Sequence, residues 1–340
     1  MCGIAGIINT TFKKFDYSTF CTLGIANDER GGDSCGIFID GKYDYGVDKT
    51  KLFSNYFSDS DLLTNVETAQ IALLHCRKAS IGTVSKETAQ PVVLTEDGIV
   101  KFVVIHNGTI YNYEELAKKY IPNINITGLT DSQVMTKIFY YTGYDVLDEY
   151  NGGSAFVIVD YRKSSPKVLL FKGASKKHNY SKEAEVERPL YFCIDKDEKE
   201  LVFSSIGIYL LALRPNCDTY SVRYNELLEF NGSALVTIKE YNREKCIQTK
   251  DTPTYYAYNM GYFNKWNSYS EDIFVYDSYI NCNLLNNTYS YKGKYIHGKL
   301  HINKFGRVET KQNKGVDIWF FNGVAMKNKD CFDFLTELKK

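Results

Sequence analysis

The sequence of 340 residues contains no apolar run approaching the ~18 to 20 residues that a membrane span requires, so no membrane-spanning helix is expected. It also lacks any Cys-x-x-Cys pair. Its nine cysteines are scattered singly, which argues against both a zinc site and a disulfide framework and leaves most of them as small core residues. There is no charge of one sign to steer the chain toward nucleic acid or anionic lipid, because Lys plus Arg equals Asp plus Glu at 41 each. Fixed-period repeats and low-complexity tracts are absent, which excludes solenoids and disordered arms. The opening Met1-Cys2-Gly3-Ile4 carries no basic segment, and its apolar stretch ends by Asn9, too early for a secretory signal; a cytoplasmic location is expected.

What is present is an ordinary globular composition, 44% apolar and 24% charged, in a chain long enough for one large domain and a smaller one. Short apolar runs predict strands at Cys2 to Ile8, Ile71 to His75, Phe102 to His106, Ala155 to Val159, Val168 to Phe171, Leu201 to Phe203 and Leu235 to Ile238. Helical spacing predicts Tyr17 to Asn27, Tyr113 to Lys119, and Ser132 to Tyr141 with Thr130-Asp131 at its N-terminal cap. After about residue 240 the texture changes to closely spaced tyrosines among Asn, Ser and Gly, with a small excess of basic residues. The division expected is therefore 1–240 for the large domain and 241–340 for a β-rich accessory module.

Five short segments carry the candidate chemistry. Cys2 follows the initiator Met, and initiator removal before a small second residue is generally efficient, so the mature chain would begin with a cysteine bearing a free α-amino group. One residue would then supply both a nucleophilic thiol and, with a pKa near ~8, the base that activates it. His106-Asn107-Gly108 follows a buried strand, and Asn-Gly there predicts a tight turn. An Asn amide and a Gly N–H at such a place are neutral donors suited to an oxyanion, although a plain hairpin turn has the same signature. Arg77, in His75-Cys76-Arg77-Lys78, places a guanidinium fork at a strand end, the geometry that clamps a carboxylate. Asp131 offers a carboxylate at a helix start, either for an ammonium or as an N-cap. Arg30-Gly31-Gly32-Asp33-Ser34 reads as a glycine-rich turn leading into a strand.

Taken in this order, these segments resemble the glutaminase domain of the class II glutamine amidotransferases, whose members include asparagine synthetase and glucosamine-6-phosphate synthase. The resemblance rests on Cys2-Gly3-Ile4-Ala5-Gly6, Arg30-Gly31-x-Asp33-Ser34-x-Gly36, the Arg77 segment, His106-Asn107-Gly108 with Asn112, and Thr130-Asp131-Ser132. It continues through Leu147 to Asp160, Pro189-Leu190-Tyr191 and Val202-Phe203-Ser204-Ser205, so it spans about residues 2 to 240. It implies an α+β fold, a four-layer αββα sandwich of the N-terminal-nucleophile (Ntn) hydrolase kind, with the nucleophile at the start of a central strand. It implies Cys2 as nucleophile and base, Asn107 and Gly108 as oxyanion donors, and Arg77 and Asp131 as the groups that hold glutamine by its carboxylate and ammonium. Arg30 would order the loop around Cys2. Lys78 and Ile81 replace the aromatic and histidine of the sugar-linked members, and Thr109 stands where asparagine synthetase commonly has an acid.

The resemblance implies no cofactor. His297 and His301 share a face but lack the cysteine or acid neighbours of a metal site. Gly36 to Lys42 has the spacing of a phosphate loop, yet Tyr43 stands where Ser or Thr is required, so a hairpin is expected there. No Ser-Gly-Gly-x-Asp-Ser loop is found, and about 100 residues are too few for a sugar-isomerase or phosphoribosyltransferase domain. A separate ammonia-accepting synthase is therefore the expected partner, with glutamine as substrate. The aromatics of 241–340, Trp266 and Trp319 among them, could form an interface, close an oligomer or stack on a nucleobase, and a plain β extension is the simpler reading. Two alternatives to a glutaminase stay open: an Ntn amidase for another γ-glutamyl or acyl amide, and a non-catalytic module that retains the fold.

Overall fold

The computed structural model describes residues 2–56, 61–64, 66–173, 188–214 and 217–241, together with strand segments between 274 and 326. Strands β1 (Gly3–Lys14), β2 (Ser34–Ile39), β3 (Lys42–Gly46), β4 (Thr68–Arg77), β9 (Tyr191–Asp195), β10 (Glu200–Ser204) and β11 (Thr219–Ser221) form one sheet. Strands β5 (Val92–Glu96), β6 (Ile99–Gly108), β7 (Ser154–Asp160), β8 (Lys167–Gly173), β12 (Glu226–Phe230) and β13 (Leu235–Glu240) form another. The orders are β11-β9-β10-β1-β4-β2-β3 and β13-β12-β8-β7-β6-β5, so β1 is the middle strand of seven. The helices are α1 (Tyr17–Asn27), α2 (Phe53–Tyr56), α3 (Asp61–Thr64), α4 (Tyr113–Tyr120), α5 (Asp131–Thr142) and α6 (Gly207–Leu213).

Alternation along the strands explains why the two sheets stack. Ile4 and Ile8 of β1 face the same apolar cluster as Val103 and Ile105 of β6 and Ala155, Val157 and Val159 of β7, which fills the space between the sheets. The opposite side chains of β1, Ala5 and Ile7, pack against Phe20, Leu23 and Ile25 of α1 and Leu210 of α6. On the far side, Phe102 and Val104 of β6 and Phe156 of β7 pack against Leu116 of α4 and Val134, Ile138 and Phe139 of α5. Both faces of each central strand are therefore dry, which is why those strands read as continuous apolar runs. The result is the four-layer αββα sandwich that the resemblance implies.

Three local expectations are refined. Asn107-Gly108 does not form a turn: both residues continue the ladder, Asn107 opposite Ala155 and Gly108 opposite Ser154 of β7. The pairing partner supplies the backbone bonds that a turn would have left to solvent. Thr130 is the N-cap of α5, in a capping box with Gln133, and this leaves the Asp131 carboxylate available for other contacts. Gly36 to Lys42 lies in the hairpin of β2 and β3, whose turn carries Asp40 and Gly41 at positive φ.

Beyond residue 241 the described segments are all strands. β14 (Phe274–Tyr276), β15 (Ile280–Asn283), β16 (Thr288–Tyr291) and β17 (Lys294–His297) pair antiparallel in one sheet, and β18 (Val308–Asn313), β19 (Val316–Phe321) and β20 (Val324–Met326) in another. Trp319 lies on β19, opposite Thr310 and Met326. Trp266 and His301 lie outside the described residues, so the expected face shared with His297 does too.

Candidate active site

Cys2 immediately precedes β1, and the backbone around it is fastened from several directions. Arg30 Nε donates to the Cys2 carbonyl at 3.0 Å. Ile4 N–H donates to Ser205 Oγ at 3.1 Å, and Ser205 N–H donates to the Ile4 carbonyl at 2.7 Å. Gly3 has no room for a side chain, since a Cβ there would come within 2.6 Å of Asn27 Oδ1. The start of β1 is thus fixed on both flanks before any ligand is considered.

The Cys2 sulfur faces the end of β4. Lys78 N–H donates to Sγ at 3.3 Å, and Sγ lies 3.5 Å from the Lys78 carbonyl. That stretch is itself anchored by Asp33, whose carboxylate accepts from Lys78 Nζ at 3.0 Å and from Ala79 N–H at 2.9 Å. Burial pushes the Cys2 thiol pKa up; the Lys78 N–H, the charge of the chain's amino terminus and the guanidinium groups of Arg77 and Arg188 pull it down. No motif in the sequence marks Arg188, which lies just before β9. Its Nε and Nη1 are buried and have no hydrogen-bond partner.

Arg77 closes β4 and is buried. Its Nη1 donates to the Thr83 carbonyl at 3.0 Å and its Nη2 to the Ile81 carbonyl at 2.7 Å, so one guanidinium ties down the segment that follows the strand. Burial lowers its pKa, while the negative charges of Cys2, Asp131 and Asp33 raise it; arginine stays charged in either case. Asp131 is also buried: Oδ2 accepts from Ile110 N–H at 2.8 Å and Oδ1 from Ser132 N–H at 2.9 Å. Burial raises its pKa, against these hydrogen bonds and the Arg77 charge.

Asn107 is 1% exposed, and neither atom of its side-chain amide has a hydrogen-bond partner. Beside it, Gly108 is obligatory, because a Cβ there would come within 2.4 Å of both the Gly153 carbonyl oxygen and His106 Nε2. Behind this pair lies a buried polar network. His106 Nδ1 is 2.8 Å from Ser132 Oγ and its Nε2 is 3.1 Å from Ser154 Oγ, while His106 N–H donates to Gln90 Oε1 at 2.7 Å. His75 Nε2 lies 3.1 Å from the His106 carbonyl, which can only accept, so His75 carries its proton on Nε2. Burial pushes His75 down to about 3 and His106 well below the usual imidazole range, and both rings are neutral.

A small open recess lies among these groups, lined by Cys2, Arg77, Ile81, Gly108, Asp131 and Ser132 with their neighbours. Four of the six residues singled out in the sequence therefore meet at one cavity. Arg30 sits behind it on the Cys2 carbonyl, and Asn107 lies buried next to Gly108. A thiol, a guanidinium and a carboxylate around one small polar recess complement a zwitterionic amino acid whose side chain reaches the Cys2 sulfur. Among the described residues, no group of three His, Cys, Asp or Glu side chains is placed to hold a metal ion.

Comparison with known proteins identifies the domain family. A family model described as "Glutamine amidotransferase domain" matches residues 59–231. The chain is 30% identical over 225 residues to a putative asparagine synthetase [glutamine-hydrolyzing] 2 of Methanocaldococcus jannaschii, covering 63% of this chain and 36% of that protein. It is 31% identical over 146 residues to a glutamine–fructose-6-phosphate aminotransferase [isomerizing] of Staphylococcus epidermidis, covering 42% of this chain and 22% of that protein. In three dimensions it is similar to the glutamine phosphoribosylpyrophosphate amidotransferase from B. subtilis, with a TM-score of 0.52 and 18% identity, over 69% of this chain and 48% of that one; this likeness bears on the fold alone. The chain thus matches about a third or less of the length of these two curated relatives. With the family model covering residues 59–231, just over half of the sequence, the chain belongs to the glutamine amidotransferase domain family.

Proposed function

We propose that this chain hydrolyses the side-chain amide of glutamine through a Cys2 thioester and supplies the ammonia to a separate synthase. The observation that carries the reading is the meeting of the Cys2 sulfur, the Arg77 guanidinium, the Asp131 carboxylate and Gly108 around one recess. Arg77 takes the α-carboxylate and Asp131 the α-ammonium, which directs the carboxamide toward Cys2. With Met1 removed, the α-amino group of Cys2 accepts the thiol proton as the sulfur attacks the amide carbon. The negative charge that develops on the carbonyl oxygen is met by the Asn107 amide and the Gly108 N–H. Collapse of the tetrahedral intermediate, with a proton returned to the leaving nitrogen, releases ammonia and leaves a γ-glutamyl thioester; water then cleaves the thioester to glutamate and restores the thiol. Arg30, through the Cys2 carbonyl, keeps the nucleophile's backbone in place.

Free ammonia is lost to protonation and diffusion, so a docked acceptor enzyme is part of this reading, and residues 241–340 form an accessory module suited to that contact. A cytoplasmic setting accords with such a reaction; no helix among the described residues is long and apolar enough to cross a membrane. The paired Arg77 and Asp131 favour a free amino acid over the γ-glutamyl or acyl amides of other Ntn amidases. Glutamate release from glutamine, compared with release from γ-glutamyl peptides and with the Cys2→Ala variant, tests the assignment. Equal or faster turnover of the peptides would move the substrate class to γ-glutamyl amides.

A further inference from the structure

We propose that the imidazole of His106 is a positioning and specificity-determining residue of this site, a neutral spacer that sets the separation between the Gly108 N–H and the Asp131 carboxylate. It thereby sets the length of amino-acid side chain that fits between them. The inference rests on the glutaminase reading above and adds a residue to which that reading gives no role.

The ring is packed and bonded on every side. It stacks on Phe156 with centroids 4.3 Å apart and planes 12° from parallel, and Phe156 itself is fully buried. One edge meets α5: Nδ1 is 2.8 Å from Ser132 Oγ, and Ser132 in turn donates to Asp131 Oδ1 from its backbone N–H at 2.9 Å and lies 3.4 Å from it through its hydroxyl. The other edge lies against the oxyanion strand: Nε2 is 3.1 Å from Ser154 Oγ, the residue opposite Gly108 in the ladder, and would come within 2.4 Å of a Cβ on Gly108. Gln90 closes the circuit, donating from Nε2 to Ser132 Oγ at 3.1 Å and to the His106 carbonyl at 3.3 Å. A planar ring has no internal torsion to relax, so the α5 start and the β6 end are held at one spacing.

The chemistry of the ring suits this task better than that of a base. A neutral imidazole donates from one nitrogen and accepts at the other, and the hydroxyls of Ser132 and Ser154 can serve either tautomer. Protonation is resisted by complete burial and by the positive charge of Arg188. A spacer that kept changing charge would shift the hydroxyl that braces Asp131; this one does not titrate in the physiological range.

Glutamine and asparagine share their α-groups and differ by one methylene, a difference that a hydrophobic pocket separates by only about 10- to 200-fold. A rigid spacer acts on that same difference by fixing where the carboxamide falls relative to Gly108. The test is kcat/KM for L-glutamine and for L-asparagine in the wild type and in Ser132→Ala, Ser132→Thr and His106→Asn. The expected result is that Ser132→Ala and His106→Asn lower the glutamine value by about 10- to 100-fold and leave the asparagine value unchanged or higher, while Ser132→Thr stays near wild type. Ser132→Ala removes a single oxygen, so it remains informative if His106→Asn does not fold. Equal losses on both substrates, or no loss in Ser132→Ala, would overturn the spacer while leaving the glutaminase reading intact. A wild type without glutaminase activity would remove both.

Discussion

The Cys2 sulfur lies between the two polar groups of one peptide residue, 3.3 Å from the Lys78 N–H and 3.5 Å from the Lys78 carbonyl. The N–H favours the thiolate and the carbonyl favours the thiol, so the backbone accepts either state, and in the proposed mechanism the choice passes to the α-amino group that removal of Met1 frees. Removing the sulfur should then remove the chemistry and little else. Cys2→Ala is expected to release no glutamate while keeping the wild-type circular dichroism spectrum and melting temperature. In the wild type, a glutamine-like diazo ketone should add to Cys2, read as a mass increase on the N-terminal peptide. Undiminished turnover in Cys2→Ala would eliminate the mechanism.

Arg77 holds two carbonyl oxygens, of Ile81 and Thr83, with separate nitrogens of one planar fork. A lysine keeps the charge but cannot reproduce the fork. Arg77→Lys should raise KM for glutamine by about 10- to 100-fold, the worth of a charged hydrogen bond at roughly 1.5 to 3 kcal/mol, with a smaller change in kcat. Steady-state kinetics decide the matter, and an unchanged KM would detach Arg77 from the substrate carboxylate.

Asn107 is the proposed side-chain donor to the oxyanion. Replacing it by Ala should cost on the order of 10² to 10³ in kcat with little effect on KM, the pattern of an interaction made only in the transition state. A wild-type kcat would take it out of the site.

The two buried histidines make a prediction about pH. Both are neutral when folded, His75 down to about 3 and His106 well below the usual imidazole range. Neither can supply the acid limb of the rate profile, so kcat/KM should rise with pH through the α-amino range near about 8, with no inflection near about 6.5. The same depression affects stability with a defined sign. Below about 6.5 the unfolded chain binds protons that the folded chain refuses, so stability is full above that pH and falls as the pH drops toward the folded value, by up to about 1.4 kcal/mol per pH unit for each histidine. Melting temperatures at pH 7 and 5 measure the loss, and His75→Asn should remove about half of it. An equal loss in the variant would show that other groups govern the acid limb.

What could be read in the sequence follows from burial. Phe102 to Ile105 and Ala155 to Val159 stand out because strands in the two middle layers are dry on both faces, and the helical spacing of Tyr17 to Asn27 coincides with α1. β3, with Lys42 and Tyr43 exposed at a sheet edge, has no such run, and only the hairpin expected at Gly36 to Lys42 points to it. The Asn-Gly pair reads as a turn because its partner, Ser154 with Ala155, is distant in sequence and no local pattern announces the pairing. Arg188 was missed for the same reason: β9 reaches the Cys2 end of β1 only through β10. The contacts of His106 with Ser132 and Gln90 are likewise long-range, so the motif containing His106 was visible while its role was not.

The idle amide of Asn107 sets stability and turnover against each other at a single position. Enclosed and unbonded, it burdens the resting fold by about 1 to 3 kcal/mol, a penalty that an apolar group of similar size would not impose. Asn107→Leu should therefore give a protein that resists urea better than the native one, by about 1 kcal/mol, and yet turns over glutamine on the order of 10² to 10³ more slowly.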